Sequence, residues 1–100
     1  MSFIALARLR ELDDGFRRVV SVGGRDLLLI HSAGGTYLVD RHCPHAGSAL
    51  DRARVEAACI TCPRHGISFD LHSGRALQGR CTPLPRYALS YDGDRVGVDL

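Results

Sequence analysis

The chain has 100 residues and a mass of 10.9 kDa, room for one domain and too little for two. Hydrophobic residues make up 45% and charged residues 24%, with 13 basic against 11 acidic and a formal net charge of +2; this excludes a disordered tail and a strongly basic nucleic-acid binder. The longest apolar run is far short of a membrane span, and residues 1–8 lack the basic start and long apolar stretch of a secretory signal, so a cytoplasmic, non-membrane protein is expected.

In chain order, Leu6–Leu12 reads as a helical turn that Asp13-Asp14-Gly15 stops. Phe16–Val22 is a strand ended by Gly23-Gly24, and Leu27–Ile30 is a second strand ended by a turn at Ala33-Gly34-Gly35. The glycine pairs accept the positive φ of a hairpin turn. Thr36–Val39 is rich in β-formers, and Val55–Ile60 and Ile67–Phe69 are weaker strands. Pro83 and Pro85 argue against a helix. Tyr87–Tyr91 and Arg95–Asp99 flank a hairpin signal at Asp92-Gly93, and Arg95–Asp99 alternates with period two. Short, evenly spaced strands predict an all-β barrel or sandwich. At residues 41–51 and 62–66 the pattern gives way to Pro, Gly, His and Cys, the composition of loops that carry sites on a β scaffold.

The cysteines are Cys43, Cys59, Cys62 and Cys81. With no export signal, Cys beside His points to metal rather than to disulfides. Cys43-Pro44-His45 and Cys62-Pro63-Arg64-His65-Gly66 each offer one thiolate and one imidazole. Two metal groups suit two Cys and two His: a tetrahedral zinc, or a [2Fe–2S] cluster with both Cys on one iron and both His on the other. Zinc fingers group Cys with Cys and His with His, whereas each loop here carries one of each.

On Cys43-Pro44-His45-Ala46-Gly47 and Cys62-Pro63-Arg64-His65-Gly66, with Phe69-Asp70 behind them, the chain resembles the Rieske family and within it the small ferredoxins. The resemblance implies a Rieske fold: antiparallel sheets with a two-loop cluster-binding subdomain, here one domain over residues 1–100 with the loops at approximately 41–72 in a β basal part. It implies one Rieske-type [2Fe–2S] cluster per chain, Cys43 and Cys62 on the buried iron and His45 and His65 on the outer iron. Neutral imidazoles leave less negative charge on the outer iron, so the added electron should reside there. Gly47 and Gly66 would let the backbone approach the cluster closely. The implied function is one-electron transport rather than catalysis, from a flavin-dependent reductase to a terminal, ring-hydroxylating oxygenase, with docking at the His45/His65 tip. Alternatives are the small Rieske subunit of an assimilatory nitrite reductase and a structural zinc-binding interaction module.

The family pattern is not matched everywhere. Respiratory members carry a disulfide between the loops where Ser48 and Arg64 stand here. High-potential members place Ser and Tyr where Ile67 and Phe69 stand. Lost hydrogen bonds to sulfur disfavour the more negative, reduced state, so a midpoint near or below about −100 mV is expected. Arg80 and Cys81 are atypical for a cluster-covering loop; Cys81 reads as a small buried residue. Cys59-Ile60-Thr61-Cys62 forms C-x-x-C without the strand–helix context of a dithiol site, so Cys59 reads as a core residue of a strand.

Overall fold

The computed structural model describes residues 2–44, 47–64, 66–78 and 81–99. Its strands are β1 (Phe3–Arg8), β2 (Arg17–Val22), β3 (Arg25–Ser32), β4 (Gly35–Asp40), β5 (Arg54–Glu56), β6 (Cys59–Thr61), β7 (Ser68–Asp70), β8 (Arg86–Tyr87), β9 (Ser90–Asp92) and β10 (Arg95–Asp99). They form a 3-stranded sheet β1-β10-β9, a 4-stranded sheet β2-β3-β4-β8 and a 3-stranded sheet β5-β6-β7. Every pairing between these strands is antiparallel. The all-β expectation therefore holds. Among the described residues no helix is long and apolar enough to cross a membrane.

Two local readings are corrected. The expected helical turn at Leu6–Leu12 is β1 up to Arg8, followed by a 3-10 turn at Leu9–Glu11. Helix propensity is a weak prior, and pairing of β1 with β10 overrides it. The two backbones lie so close that a Cβ on Gly97 would stand 1.9 Å from the Ile4 carbonyl oxygen. Val55–Ile60 is two strands: Ala57 and Ala58 have φ of 52° and 62°, the left-handed geometry of a tight turn, and the chain folds back from β5 to β6.

The run Leu27-Leu28-Leu29-Ile30 is fully buried because β3 has a core on each side. Strand side chains alternate between faces. Leu28 and Ile30 therefore join Tyr37 and Val39 of β4 in one cluster. Leu27 and Leu29 join Leu38, Val96 and Val98 in the other. The first cluster also takes in Leu50, Ala53, Ile60, Phe69, Leu71 and Leu84, so it joins the four-stranded sheet to β5-β6-β7. Each fully buried Leu, Ile or Phe contributes about 1.5–3 kcal/mol relative to exposure, and this shared apolar layer is what sets the loop-bearing sheet on its base.

Candidate metal centre

The two loops are built alike. In the first, His42 bridges Ala49, the Cys43 N–H donates to the Ser48 carbonyl at 2.8 Å, and the Gly47 N–H donates to the Cys43 carbonyl at 2.7 Å. In the second, Thr61 pairs with Ser68, the Cys62 N–H donates to the Ile67 carbonyl at 2.8 Å, and the Gly66 N–H donates to the Cys62 carbonyl at 2.9 Å. Both are hairpin loops with Cys first, Pro second and Gly fifth. Gly47 and Gly66 have φ of 70° and 71°, a conformation that costs an L side chain and not glycine. A Cβ at either would meet no atom of the other described residues within 4 Å. Tolerance of positive φ is thus what glycine supplies at both places.

Cys43 and Cys62 are 1% and 0% exposed and belong to the apolar cluster that joins the two sheets. The strand alternation explains Cys62: Ile60 and Cys62 fall on the core face, while Cys59 and Thr61 are half-buried on the other. Cys59 pairs with Glu56 and Asp70 within the sheet. The sequence reading of Cys59 as a strand residue holds, but it is half-buried rather than fully in the core. Cys81 is also half-buried and packs against the cluster. His45 and His65, the other two expected ligands, lie outside the described residues, as do Ala46, Gly79 and Arg80. His42 and His72 are exposed, and His31 bonds Thr36 at 2.8 Å.

The bases of the loops are tied down. Leu50 N–H donates to the Arg41 carbonyl at 2.7 Å. The Arg41 guanidinium grips Asp51 through Nε at 2.9 Å and Nη2 at 2.8 Å, and reaches Asp26 at 3.2 Å. That guanidinium holds the Asp51 carboxyl below its ordinary value. Arg17 of β2 donates to the carbonyls of Asp51 and Ala53, so the segment after the first loop is anchored to the base. At the second loop Thr61 and Ser68 hydroxyls meet at 2.8 Å. The Ser68 carbonyl accepts from Leu77 N–H at 2.8 Å, and its N–H donates to Gln78 Oε1 at 3.0 Å. Sequence reasoning missed Arg41, Asp51 and Leu77. No spacing signal marks an Arg and an Asp that meet only when a hairpin closes.

The donor chemistry fits a [2Fe–2S] group. Two thiol side chains sit at equivalent positions of matched loops, in apolar surroundings that favour a cluster whose charges cancel over exposed ions. Phe69, fully buried in the same apolar layer, and half-buried Ile67 place no hydroxyl beside them.

Residues 2–88 match the family described as the Rieske [2Fe-2S] domain. The ferredoxin component of the naphthalene 1,2-dioxygenase system of Pseudomonas aeruginosa is 32% identical over 102 residues, covering 98% of this chain and 95% of that protein. Among solved structures, a ferredoxin of Sphingomonas yanoikuyae B1 superposes with a TM-score of 0.87 at 25% identity, covering 99% of both chains. The ferredoxin of carbazole 1,9a-dioxygenase from Nocardioides aromaticivorans IC177 gives 0.84 at 25% identity, covering 97% of this chain and 96% of that one. With the matched loops and buried thiols above, these likenesses make the chain a member of the Rieske [2Fe–2S] domain family.

Proposed function

We propose that the chain is a soluble, cytoplasmic one-electron carrier that takes electrons from a flavin-dependent reductase and delivers them to a terminal ring-hydroxylating oxygenase. The observation that carries this reading is the pair of equivalent loops, each opening on a buried Cys; the 32% identity to a dioxygenase-system ferredoxin supports the system in which it works. In this reading residues 1–100 are one Rieske domain, with residues 41–72 bearing the loops.

The bound cluster supplies reversible storage of one electron. Cys43 and Cys62 would hold it as deprotonated thiolates from inside the apolar layer. His45 and His65 would hold it from the third and fourth positions of their loops, on the outward side. Thiolates inside and imidazoles outside would put the electron-accepting side next to a partner. The protein's work is to keep this geometry unchanged on gaining an electron, and the closed hairpin bonds and the Arg41 and Arg17 tethers serve that end.

Anaerobically purified protein should be red-brown, contain two iron and two acid-labile sulfide per chain, and give a Rieske-type EPR signal after dithionite. Colourless protein with zinc and no sulfide overturns the carrier reading. Purification as a permanent complex with a large flavin- and haem-containing protein would instead assign it as a nitrite reductase subunit.

A further inference from the structure

We propose that the loop end of the molecule docks on an acidic protein surface, with Arg64 as the contact cation; this rests on the carrier reading above and specifies the partner it requires. Residues 41–80 hold six of the 13 Lys and Arg residues and three of the 11 acidic residues. All three carboxylates are engaged. Asp51 bonds Arg41 at 2.8 Å, Glu56 bonds Arg54 at 2.6 Å, and Asp70 accepts from the His72 N–H at 3.1 Å and the Ser73 hydroxyl at 3.0 Å. Arg52, Arg64 and Arg75 are exposed and form no ion pair among the described residues. The rest of the chain carries eight acidic and seven basic residues; Arg8, Arg18 and Arg95 there are paired with Asp94, Glu11 and Asp92, while exposed Arg10, Arg25 and Arg86 form no ion pair among the described residues.

Net positive charge is therefore concentrated in the part of the chain that bears the loops, and Arg64 stands on the second loop itself. Pro63, its neighbour in the chain, is exposed, and so is Leu77, 55% exposed and hydrogen-bonded through its backbone to Ser68 at the foot of that loop. Net positive charge with exposed apolar groups in the same part of the chain matches a partner surface rich in Asp and Glu that also offers apolar groups. Such complementarity steers encounter and sets orientation. It does so most strongly at low salt, where the Debye length is longest.

The test compares Arg64→Glu with Arg10→Glu, which has the same net charge but reverses an exposed arginine outside residues 41–80. Dithionite-reduced holoprotein is oxidised by ferricyanide, an anion that takes one electron and becomes ferrocyanide, and separately by the cation tris(phenanthroline)cobalt(III), which is reduced to cobalt(II). Binding of a fluorescent decaglutamate peptide to holoprotein is read by anisotropy. The ferricyanide rate should fall with added salt and the cobalt rate should rise. At about 10 mM ionic strength Arg64→Glu should slow ferricyanide oxidation by about tenfold and weaken decaglutamate comparably, with Arg10→Glu changing each less than about twofold. Equal effects of the two variants, or a ferricyanide rate indifferent to salt, overturn the acidic-partner assignment and leave the carrier reading standing. Iron-free protein overturns both.

Discussion

Two glycines and one alanine share a backbone conformation, and it gives their substitutions opposite signs. Gly47 and Gly66 have φ of 70° and 71°, and Ala57 has φ of 52°. A Cβ at either glycine meets no atom of the other described residues within 4 Å, so alanine there adds conformational strain without a clash against them. The left-handed region costs an L residue about 1–2 kcal/mol. Alanine recovers about 0.4–1 kcal/mol of that through a less flexible unfolded chain. The net for Gly47→Ala or Gly66→Ala is a loss of about 0.5–1 kcal/mol. For exposed Ala57→Gly the same terms reverse into a gain of similar size. For a chain of this length each change moves the melting midpoint by about 2–8 °C. Thermal unfolding of the holoprotein followed by far-UV circular dichroism reads all three, and the visible cluster absorbance reads whether loop geometry survives. Higher midpoints for both glycine variants, or a lower one for Ala57→Gly, would refute the assignment of these backbone conformations.

The remaining outcomes follow from particular residues. Gly97→Ala drives a Cβ to 1.9 Å from the Ile4 carbonyl oxygen; it should cost about 3 kcal/mol by forcing β1 off β10, lowering the melting midpoint while folded molecules keep the wild-type visible spectrum. A potentiometric titration should place the midpoint near or below about −100 mV. Phe69→Tyr brings a hydroxyl to the buried layer that holds Cys43 and Cys62; one hydrogen bond of about 1 kcal/mol should raise the midpoint by about 40 mV, and an unmoved midpoint refutes the proposed site of that hydroxyl. Because Arg41 lowers the Asp51 carboxyl, the pair contributes stability above the unfolded-state value of about 3.9 and loses it as pH falls through the lower folded value. The stability gap between wild type and Arg41→Met should therefore narrow on acidification below about pH 4; a gap constant with pH counts against the clamp. Cys59→Ala and Cys81→Ala should each retain two iron per chain, and iron loss in either would put that cysteine among the ligands.

The all-β class was legible because turn residues recur at short intervals, and two residue pairs sufficed to nominate the loops: Cys43 with His45, Cys62 with His65. Those signals are local, carried by backbone preference and by side-chain chemistry within a few positions. Where the sequence misled, a distant partner outweighed local preference. Ala5, Leu6 and Ala7 favour helix, yet β10 draws them into a strand. Val55–Ile60 looks continuous, yet two alanines accept left-handed backbone so that Ala58 can fill the core and its carbonyl can accept from Leu71 N–H at 2.9 Å.

The sequence by itself determined which atoms are available to bind metal, since donor identity is a property of single residues. Only the tertiary structure decided that β3 would face two cores, that both loops would close through the same pair of backbone bonds, and that Cys43 and Cys62 would enter one apolar layer. Burial and closure are properties of surfaces meeting across the chain. The hydrophobic gain that brings those surfaces together is non-directional, so no short stretch of sequence encodes it alone.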